Sequence, residues 1–283
     1  KIRSSYQQIN KKYLLVLLGF LLVVFQTSSV RATFQWSVEW LILLSFLWSV
    51  RDLRITRERF VFWLTIAILP HAVLGIWQYI SQVIIGSKWL GMATQAPGLL
   101  GTSIVEVGPV RVLRAYGGFP HPNIFGGWLA LVIVLIIDRA RTLREKSATF
   151  FFAISLILLS IALVATFSRG AWLALLSGGL VYLLMFLWKE RTKICSYRIF
   201  WLFILLAATT IGLIGFVVRD HILVRFEGGT RLERKSLDER TQGLRSGWEV
   251  FKSHPFLGSG PGTMHLAIAQ RSPDLRVPPV PPH

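Results

Sequence analysis

The sequence predicts an all-α polytopic membrane protein, a multi-span helical bundle with a large extracytoplasmic loop. Of its 283 residues, 53% are hydrophobic and only 16% are charged, and the mean hydropathy is +0.55. Nearly uncharged apolar runs follow one another along the chain, each of about twenty residues, the length that a helix needs to cross a bilayer. A soluble domain does not need repeated runs of this length, whereas a membrane protein needs one for each span.

Seven membrane spans are predicted from these runs. Their bounds are 13–30, 34–50, 60–85, 122–138, 148–167, 171–188 and 199–218. Residues 148–188 are predicted to form a helical hairpin, because one continuous helix of that length would exceed the thickness of the bilayer. The tip of this hairpin carries Arg169, which is expected either in water or at the mouth of a cavity between spans.

Counts of lysine and arginine give the predicted orientation. Four connections carry four basic residues each, namely 1–12, 51–59, 138–147 and 189–198. The alternate connections at 31–33 and 168–170 carry one each. Cytoplasmic loops are enriched in lysine and arginine, so the four basic connections are predicted to be cytoplasmic. The net charge of +17 is then a topology signal and does not indicate a nucleic-acid-binding surface.

Two domains follow from this orientation. Residues 1–218 are predicted to form the transmembrane bundle, with an outer loop at 86–121. Residues 219–283 are predicted to form an extracytoplasmic loop that contains a short amphipathic helix. The chain begins with Lys1 and stops at His283 inside a Pro-rich segment. We therefore expect a piece of a longer protein that is cut at both ends, with this loop truncated at its C-terminal end.

The most distinctive stretch is RVLRAYGGFPHPN, Arg111 to Asn123, which joins the outer loop to a predicted span. Its glycine pair allows a sharp turn or a close approach to a ligand, and its prolines disfavour α geometry in the residues before them. A helix that begins near Pro122 would aim free N–H groups and a positive dipole end toward Arg114, which favours anion binding. The alternative is a Pro/Gly-rich helix entry with a solvated arginine.

Two ionisable residues, Glu39 and His71, lie inside predicted spans. Such a residue is a functional hypothesis by default. The structural alternatives are that Glu39 reaches the membrane surface, and that His71 bonds a carbonyl freed by Pro70 in its own helix.

The second outer segment contains GLRSGWEVFKSHPFLG at 243–258. Leu244, Trp248 and Phe251 fall on one face at helical spacing. This pattern predicts a short amphipathic helix that ends at Pro255 and lies on the membrane surface.

The chemistry available outside the membrane is that of arginine and histidine. The sequence lacks a Walker loop, a DxD pair and a GxSxG elbow. It therefore lacks the motifs that usually serve ATP hydrolysis and the metal-dependent use of a nucleotide sugar. Arginine suits a diphosphate because it is always charged and binds in bidentate fashion, and histidine can accept a hydroxyl proton near neutral pH. Arginine and histidine side chains together suit group transfer from a phosphate-linked donor without a metal or a cofactor. The residues concerned are Arg111, Arg114, Arg169, Arg240, Arg245, His121, His254, His265 and His283.

Three stretches resemble the O-antigen ligase and polymerase family of bacterial membrane proteins. RAYGGFPHPN is similar to the family's Arg-x-x-Gly-x-Phe-x-x-Pro-Asn motif before a span. TFSRGAWLAL, at 166–175, is similar to its Ser-Arg-Gly hairpin tip. ERTQGLRSGWEVFKSHPFLGSGPG, at 239–262, is similar to the start of its large periplasmic loop. Their order, spacing and sidedness make the combination more specific than any one of them.

The resemblance implies a fold like that of the metal-independent, inverting membrane glycosyltransferases. It implies an enzyme that moves a glycan from an undecaprenyl diphosphate carrier to an acceptor hydroxyl outside the bacterial inner membrane, in cell-envelope polysaccharide biosynthesis. The implied acceptor is lipid A–core for the ligases, another carrier-linked glycan for the polymerases and a protein for some relatives. The other implied partners are membrane lipids, with no nucleic acid. A transporter or flippase for the same lipids is the non-enzyme alternative.

The resemblance also implies roles for individual residues. Arg114 and Arg169 match the family's outward arginines and, with His283, are the candidate catalytic residues. His283 lies where the family has a histidine that is usually followed by asparagine. The candidate substrate-binding residues are Arg240, which matches the arginine of the loop's first helix, together with Arg111, His121 and Asn123.

Overall fold

A computed structural model of the chain describes residues 29–51, 53–89, 91–189, 197–227, 231–256 and 258–271. The chain forms two compact units. One comprises Lys1–Arg54 and Lys235–His283, and the other comprises Ile55–Arg234.

The described residues are mostly helical. The helices are α1 (Val30–Arg51), α2 (Arg57–Ser81), α3 (Pro122–Arg139), α4 (Lys146–Ala165), α5 (Arg169–Lys189), α6 (Arg198–Val217), α7 (Arg219–Glu227), α8 (Arg231–Ser253) and α9 (Met264–Arg271). The strands β1 (Ile104–Val107) and β2 (Val110–Leu113) lie between α2 and α3.

Five of the described helices, α2 to α6, are long and apolar enough to cross a membrane. The chain is therefore a polytopic helical membrane protein, as predicted. The predicted number of seven spans is not confirmed. The first predicted span, 13–30, lies almost wholly outside the described residues, and the second, 34–50, falls within α1, which is not one of the five.

The core of the Ile55–Arg234 unit lies where α3 and α4 pack together, with α2, α5 and α6 around them. Each of the two central helices buries a continuous apolar stripe, with side chains three or four residues apart. The stripe of α3 consists of Phe125, Leu129, Ile133 and Ile136, and that of α4 consists of Phe152, Leu156, Leu159 and Leu163.

Small residues bring α3 and α5 close to each other. A Cβ atom placed on Gly126 of α3 would lie only 2.8 Å from the Cβ of Ala171 on α5. Association of helices within a membrane depends on this kind of close contact, because lipid tails are as apolar as the side chains that they would replace. The close approach brings the start of α5 next to the start of α3.

A buried carboxylate joins helices at the end of α3 where Arg139 lies. Asp138, with 6% of its side chain exposed, forms ion pairs with Arg57 and with Arg141 (3.4 Å), and it accepts a hydrogen bond of 2.5 Å from the Tyr182 hydroxyl. Burial lowers the pKa of Arg141, but the hydrogen bond with Tyr182 and the charge of Asp138 outweigh burial and raise this pKa. Arg141 therefore stays charged and, with Arg57, compensates the carboxylate.

At the opposite end of α3, the strands β1 and β2 form an antiparallel hairpin in which Ile104 pairs with Leu113. Gly108, at a φ of +57°, lies in its turn. The sequence analysis did not predict these strands within the loop 86–121. Because β2 ends at Leu113, the hairpin fixes the point at which the chain enters the Arg114 segment.

In the other unit, α8 extends well upstream of the predicted amphipathic helix, and it ends before Pro255 as predicted. Leu244, Trp248 and Phe251 are exposed, and the last two rings stack at 5.2 Å between centroids. The described side chains of α8 therefore include an exposed apolar face.

Candidate functional site

Arg114 lies at the centre of the candidate site and is almost fully buried, with 4% of its side chain exposed. Its Nε donates a hydrogen bond of 2.7 Å to the carbonyl oxygen of Thr166. Its Nη2 donates one of 2.6 Å to Oδ1 of Asn123. The alternative of a solvated arginine at a helix entry is therefore wrong for Arg114.

The C-terminal end of α4 supplies acceptors to the Arg114 segment. The carbonyl of Ala165, the last residue of α4, accepts a 2.9 Å hydrogen bond from the Ala115 N–H, and the next carbonyl accepts from Arg114. The last carbonyls of a helix lack intrahelical donors and lie at the negative end of the helix dipole. The end of α4 thus offers a buried cation both the hydrogen-bond acceptors and the favourable potential that burial requires.

The first turn of α3 lies beside Arg114. Pro122 is the first helical residue, and the N-cap residue is His121, whose Nδ1 accepts a 3.1 Å hydrogen bond from the Asn123 N–H. His121 Nε2 lies 3.1 Å from the Ser103 hydroxyl. Because Nδ1 accepts, the neutral ring carries its proton on Nε2 and donates to this hydroxyl. His121 therefore holds the start of α3 to the residue before the β-hairpin.

Both the backbone conformation at position 117 and the neighbouring side chains require a glycine there. Its φ of +60° lies in the left-handed region, and a Cβ atom there would lie 2.5 Å from the Phe125 ring. The Phe119 ring stacks on that of Phe125 at 5.4 Å between centroids. The glycine thus lets the segment pass directly over the aromatic core before α3 begins.

The tip of the hairpin between α4 and α5 carries the second candidate arginine. Arg169 is the first residue of α5 and is half-buried. Ser168 precedes it and accepts a 3.3 Å hydrogen bond from the Ala171 N–H, as an N-cap residue does. A cation at a helix N-terminus faces the positive end of the dipole, so helix stability does not explain an arginine at this position.

Phe167, also at this tip, has an unusual backbone. Its φ is +47°, which is rare for a residue other than glycine, and its side chain is fully buried. The ring lies 5.7 Å from that of Tyr79 and 6.0 Å from that of His221, measured between centroids. Phe167 and Ser168 are the two residues between Thr166, whose carbonyl binds Arg114, and Arg169.

The remaining candidates differ in their surroundings. Arg111 lies on β2, is about half exposed and forms a 3.1 Å ion pair with Glu106 of β1. Arg240 lies within α8 in the other unit, and its side chain is outside the described part. His283 is outside the described residues. The structure thus brings together Arg114, His121 and Asn123, beside the turn that carries Arg169. Within the described residues there is no group of three or more His, Cys, Asp or Glu that could hold a metal.

Two residues of this region were not predicted from the sequence, namely Gln78 of α2 and Gln82, the C-cap residue of that helix. Gln78 and Gln82 both accept hydrogen bonds from the backbone on either side of Arg114. Amide side chains inside an apolar span were the available signal, because a polar group in lipid needs a partner. His71 was expected to bond a carbonyl of its own helix, but its Nδ1 contacts the Gly117 carbonyl instead.

Comparison with known families places these observations in context. Residues 154–283 match the sequence model of the family described as O-antigen ligase. This match supports an assignment to the O-antigen ligase family. The hairpin tip and the 239–262 stretch lie inside the matched region, and the RAYGGFPHPN stretch precedes it. Comparisons with curated proteins and with solved structures find no match.

The resemblance predicted from the motifs is thereby confirmed. The O-antigen ligase family consists of enzymes of the glycan ligase and polymerase type, which work on lipid-linked glycan donors and glycan acceptors. The family and the apolar helices together indicate a multi-pass protein of the bacterial inner membrane that takes part in lipopolysaccharide or polysaccharide biosynthesis.

Proposed function

We propose that this O-antigen ligase family protein transfers a glycan from an undecaprenyl diphosphate carrier to an acceptor hydroxyl at the outer face of the inner membrane. The observation that carries the proposal is the buried, doubly hydrogen-bonded Arg114 beside the turn of Arg169. Two arginines at one end of a helical bundle suit a diphosphate, whose charge they can neutralise through bidentate hydrogen bonds.

The reaction is a single displacement at the anomeric carbon of the donor sugar. The acceptor oxygen forms the new glycosidic bond while the bond from the anomeric carbon to the diphosphate oxygen breaks, and the configuration inverts. Undecaprenyl diphosphate leaves with one additional negative charge, which Arg114 and Arg169 stabilise as it develops. His283 accepts the proton of the acceptor hydroxyl. No metal takes part in this scheme.

The other candidates bind the donor or hold the arginines. Arg111 and Arg240 are proposed to contact the phosphates or the sugars of the donor. His121 and Asn123 are proposed to act on the diphosphate through the first turn of α3. The hydrogen bond that Arg114 donates to Asn123 supports this assignment, because it fixes the guanidinium at a helix N-terminus, where anions are favoured.

An apolar groove next to the Arg114 segment supports a polyprenyl-linked donor. The groove has a volume of about 770 Å³, within the roughly 300–1,000 Å³ typical of ligand pockets. Its lining is almost entirely apolar and consists of Ile66, Leu69, Pro70, Val73, Leu74, Trp77 and Leu158. Leu74 also approaches Gly118, since a Cβ atom on this glycine would lie 3.8 Å from Leu74 Cδ2. A prenyl chain in the groove would thus lie close to the segment that carries Arg114.

Transfer by purified protein in lipid nanodiscs tests the proposal. An undecaprenyl diphosphate-linked oligosaccharide is supplied with lipid A–core, with a second carrier-linked repeat or with an acceptor protein. We expect one of the three acceptors to receive the glycan with inverted configuration, together with release of undecaprenyl diphosphate. In a parallel assay with sealed proteoliposomes, movement of the donor across the membrane without transfer to any acceptor would favour the flippase alternative and contradict the proposal.

A further inference from the structure

We propose that Gln78 positions Arg114 for transfer by holding the backbone that follows it, a role that rests on the proposed function of Arg114. Gln78 lies in α2, inside a candidate membrane span, and is fully buried. Its Oε1 accepts hydrogen bonds from the Tyr116 N–H at 3.0 Å and from the Gly117 N–H at 2.9 Å. One side-chain oxygen thus satisfies two successive backbone donors.

The orientation of the Gln78 amide follows from these contacts. Two N–H groups converge on one atom, so that atom is the oxygen. Nε2 is then buried and has no hydrogen-bond partner within the described part of the chain. A buried, unsatisfied donor is unfavourable, so packing alone does not account for a glutamine here. A leucine or methionine would fill the space without that penalty, but neither would hold the two N–H groups.

Gln78 is one of three polar side chains, from α2 and its C-cap, that contact the backbone of the Arg114 segment. Gln82, the C-cap residue that follows the last residue of α2, accepts a 2.6 Å hydrogen bond from the Leu113 N–H. His71, seven residues earlier, bonds the Gly117 carbonyl through Nδ1, and a carbonyl only accepts, so this nitrogen carries the proton. The three side chains therefore hold backbone groups on both sides of Arg114.

The segment has no regular secondary structure of its own, so its position depends on these bonds. On one side, α4 accepts from Arg114 and Ala115, and on the other, α2 holds Leu113 and Gly117. Loss of the bonds to Gln78 would release the turn that separates Arg114 from Asn123. The guanidinium would keep its charge but would lose its fixed direction toward the leaving diphosphate.

Two substitutions of Gln78 separate the hydrogen bonds from the size of the side chain. Gln78→Met keeps a similar volume and removes the acceptor. We expect kcat for glycan transfer to fall by roughly a hundredfold, as for a catalytic group displaced by about 1 Å, with little change in KM for the donor. Gln78→Glu keeps two acceptor oxygens and should retain transfer within roughly tenfold of the wild type, since a buried carboxylate that accepts two backbone N–H groups is well satisfied. Gln35→Met on α1, where the side chain is exposed, is the matched control and should be silent.

A double-mutant cycle tests whether Gln78 acts through Arg114. In an Arg114→Lys background, Gln78→Met should cause little further loss, because residues that act as one unit are strongly non-additive. Losses that multiply would overturn the proposal, as would equal losses in the Met and Glu variants or a normal kcat in the Met variant. If the Met variant does not insert into the membrane, Gln78→Asn takes its place, because it withdraws the oxygen by one methylene.

Amide hydrogen exchange distinguishes failure of this proposal from failure of the proposed function. Exchange at Tyr116 and Gly117 should quicken in Gln78→Met and stay slow in Gln78→Glu, whatever reaction the protein catalyses. Unchanged exchange in the Met variant would refute the contact itself. Faster exchange together with full activity of Arg114→Lys would instead refute the function assigned to Arg114.

Discussion

Replacement of Arg114 by lysine keeps the charge of the side chain and removes its geometry. The guanidinium donates at 2.7 Å to the Thr166 carbonyl and at 2.6 Å to Asn123 through two different nitrogens. The lysine ammonium is a single point charge on a flexible stem. It can bond one of these acceptors in this buried position but cannot reproduce the planar arrangement that contacts both.

The size of the effect follows from these two bonds. Loss of one hydrogen bond to a buried charged group destabilises a protein by about 1.5–3 kcal/mol, so Arg114→Lys should unfold at a lower temperature but still insert. The loss in transfer should be larger. A misplaced donor in a dry site loses about 2.7–4 kcal/mol of transition-state stabilisation, or roughly a hundred- to thousandfold in rate. We expect Arg169→Lys to lose transfer to a similar extent.

The assay is single-turnover glycan transfer by the full-length protein in nanodiscs, with folded protein quantified by size-exclusion chromatography. Arg144→Lys is the control, because Arg144 is exposed in the connection between α3 and α4, where any positive charge satisfies the topology rule. Near-normal transfer by Arg114→Lys would refute the assignment of a diphosphate clamp. Loss of transfer in strict proportion to loss of folded protein would reduce Arg114 to a structural role.

Three further predictions concern topology, metals and stability. In a cysteine-free background, a cysteine at Ser253 should be labelled from outside intact cells and one at Ser147 should be protected, and the reverse pattern would overturn the predicted orientation. Glycan transfer should survive EDTA, whereas a loss that Mg²⁺ or Mn²⁺ restores would count against the metal-independent scheme. Asp138→Asn should destabilise the detergent-solubilised protein by about 3 kcal/mol, because it breaks a buried ion pair. Asp220→Asn, whose ion pair is exposed, should change the unfolding temperature little.

The membrane helices were predictable because the surrounding lipid offers the backbone no hydrogen-bond partners. In lipid every N–H and C=O needs an internal partner, so an apolar run of span length forms a helix. The predicted span 122–138 corresponds to α3, and 148–167 corresponds to α4, within two residues at each end. Proline at the first helical position marked the start of α3, as expected for a residue that lacks the N–H.

The β-hairpin was missed because its signal is short. Each strand has four residues, and the turn between them contains Gly108 and Pro109. An alternating stretch interrupted by Gly-Pro is typical of a hairpin. This stretch lies in a long loop between spans, where hydropathy dominated the interpretation. The hairpin decides where Arg114 lies, since β2 ends at the residue before it.

The contacts of the Arg114 segment could not be predicted from local sequence. The Thr166 carbonyl lies 52 residues from Arg114, and Gln82 lies 31 residues from Leu113, whose N–H donates a hydrogen bond to it. From the sequence, the N-terminus of α3 was expected to point toward Arg114 and to form an anion site. In the structure, the first turn of α3 instead contributes Asn123 as an acceptor for the arginine, and the C-terminal end of α4 contributes carbonyls. The negative end of one helix therefore stabilises the buried cation while the positive end of another lies beside it. A diphosphate at this place would meet both the guanidinium and a helix N-terminus. Arg114 can therefore be buried stably in the free protein. In the proposed reaction, it can also stabilise the negative charge that develops on the diphosphate.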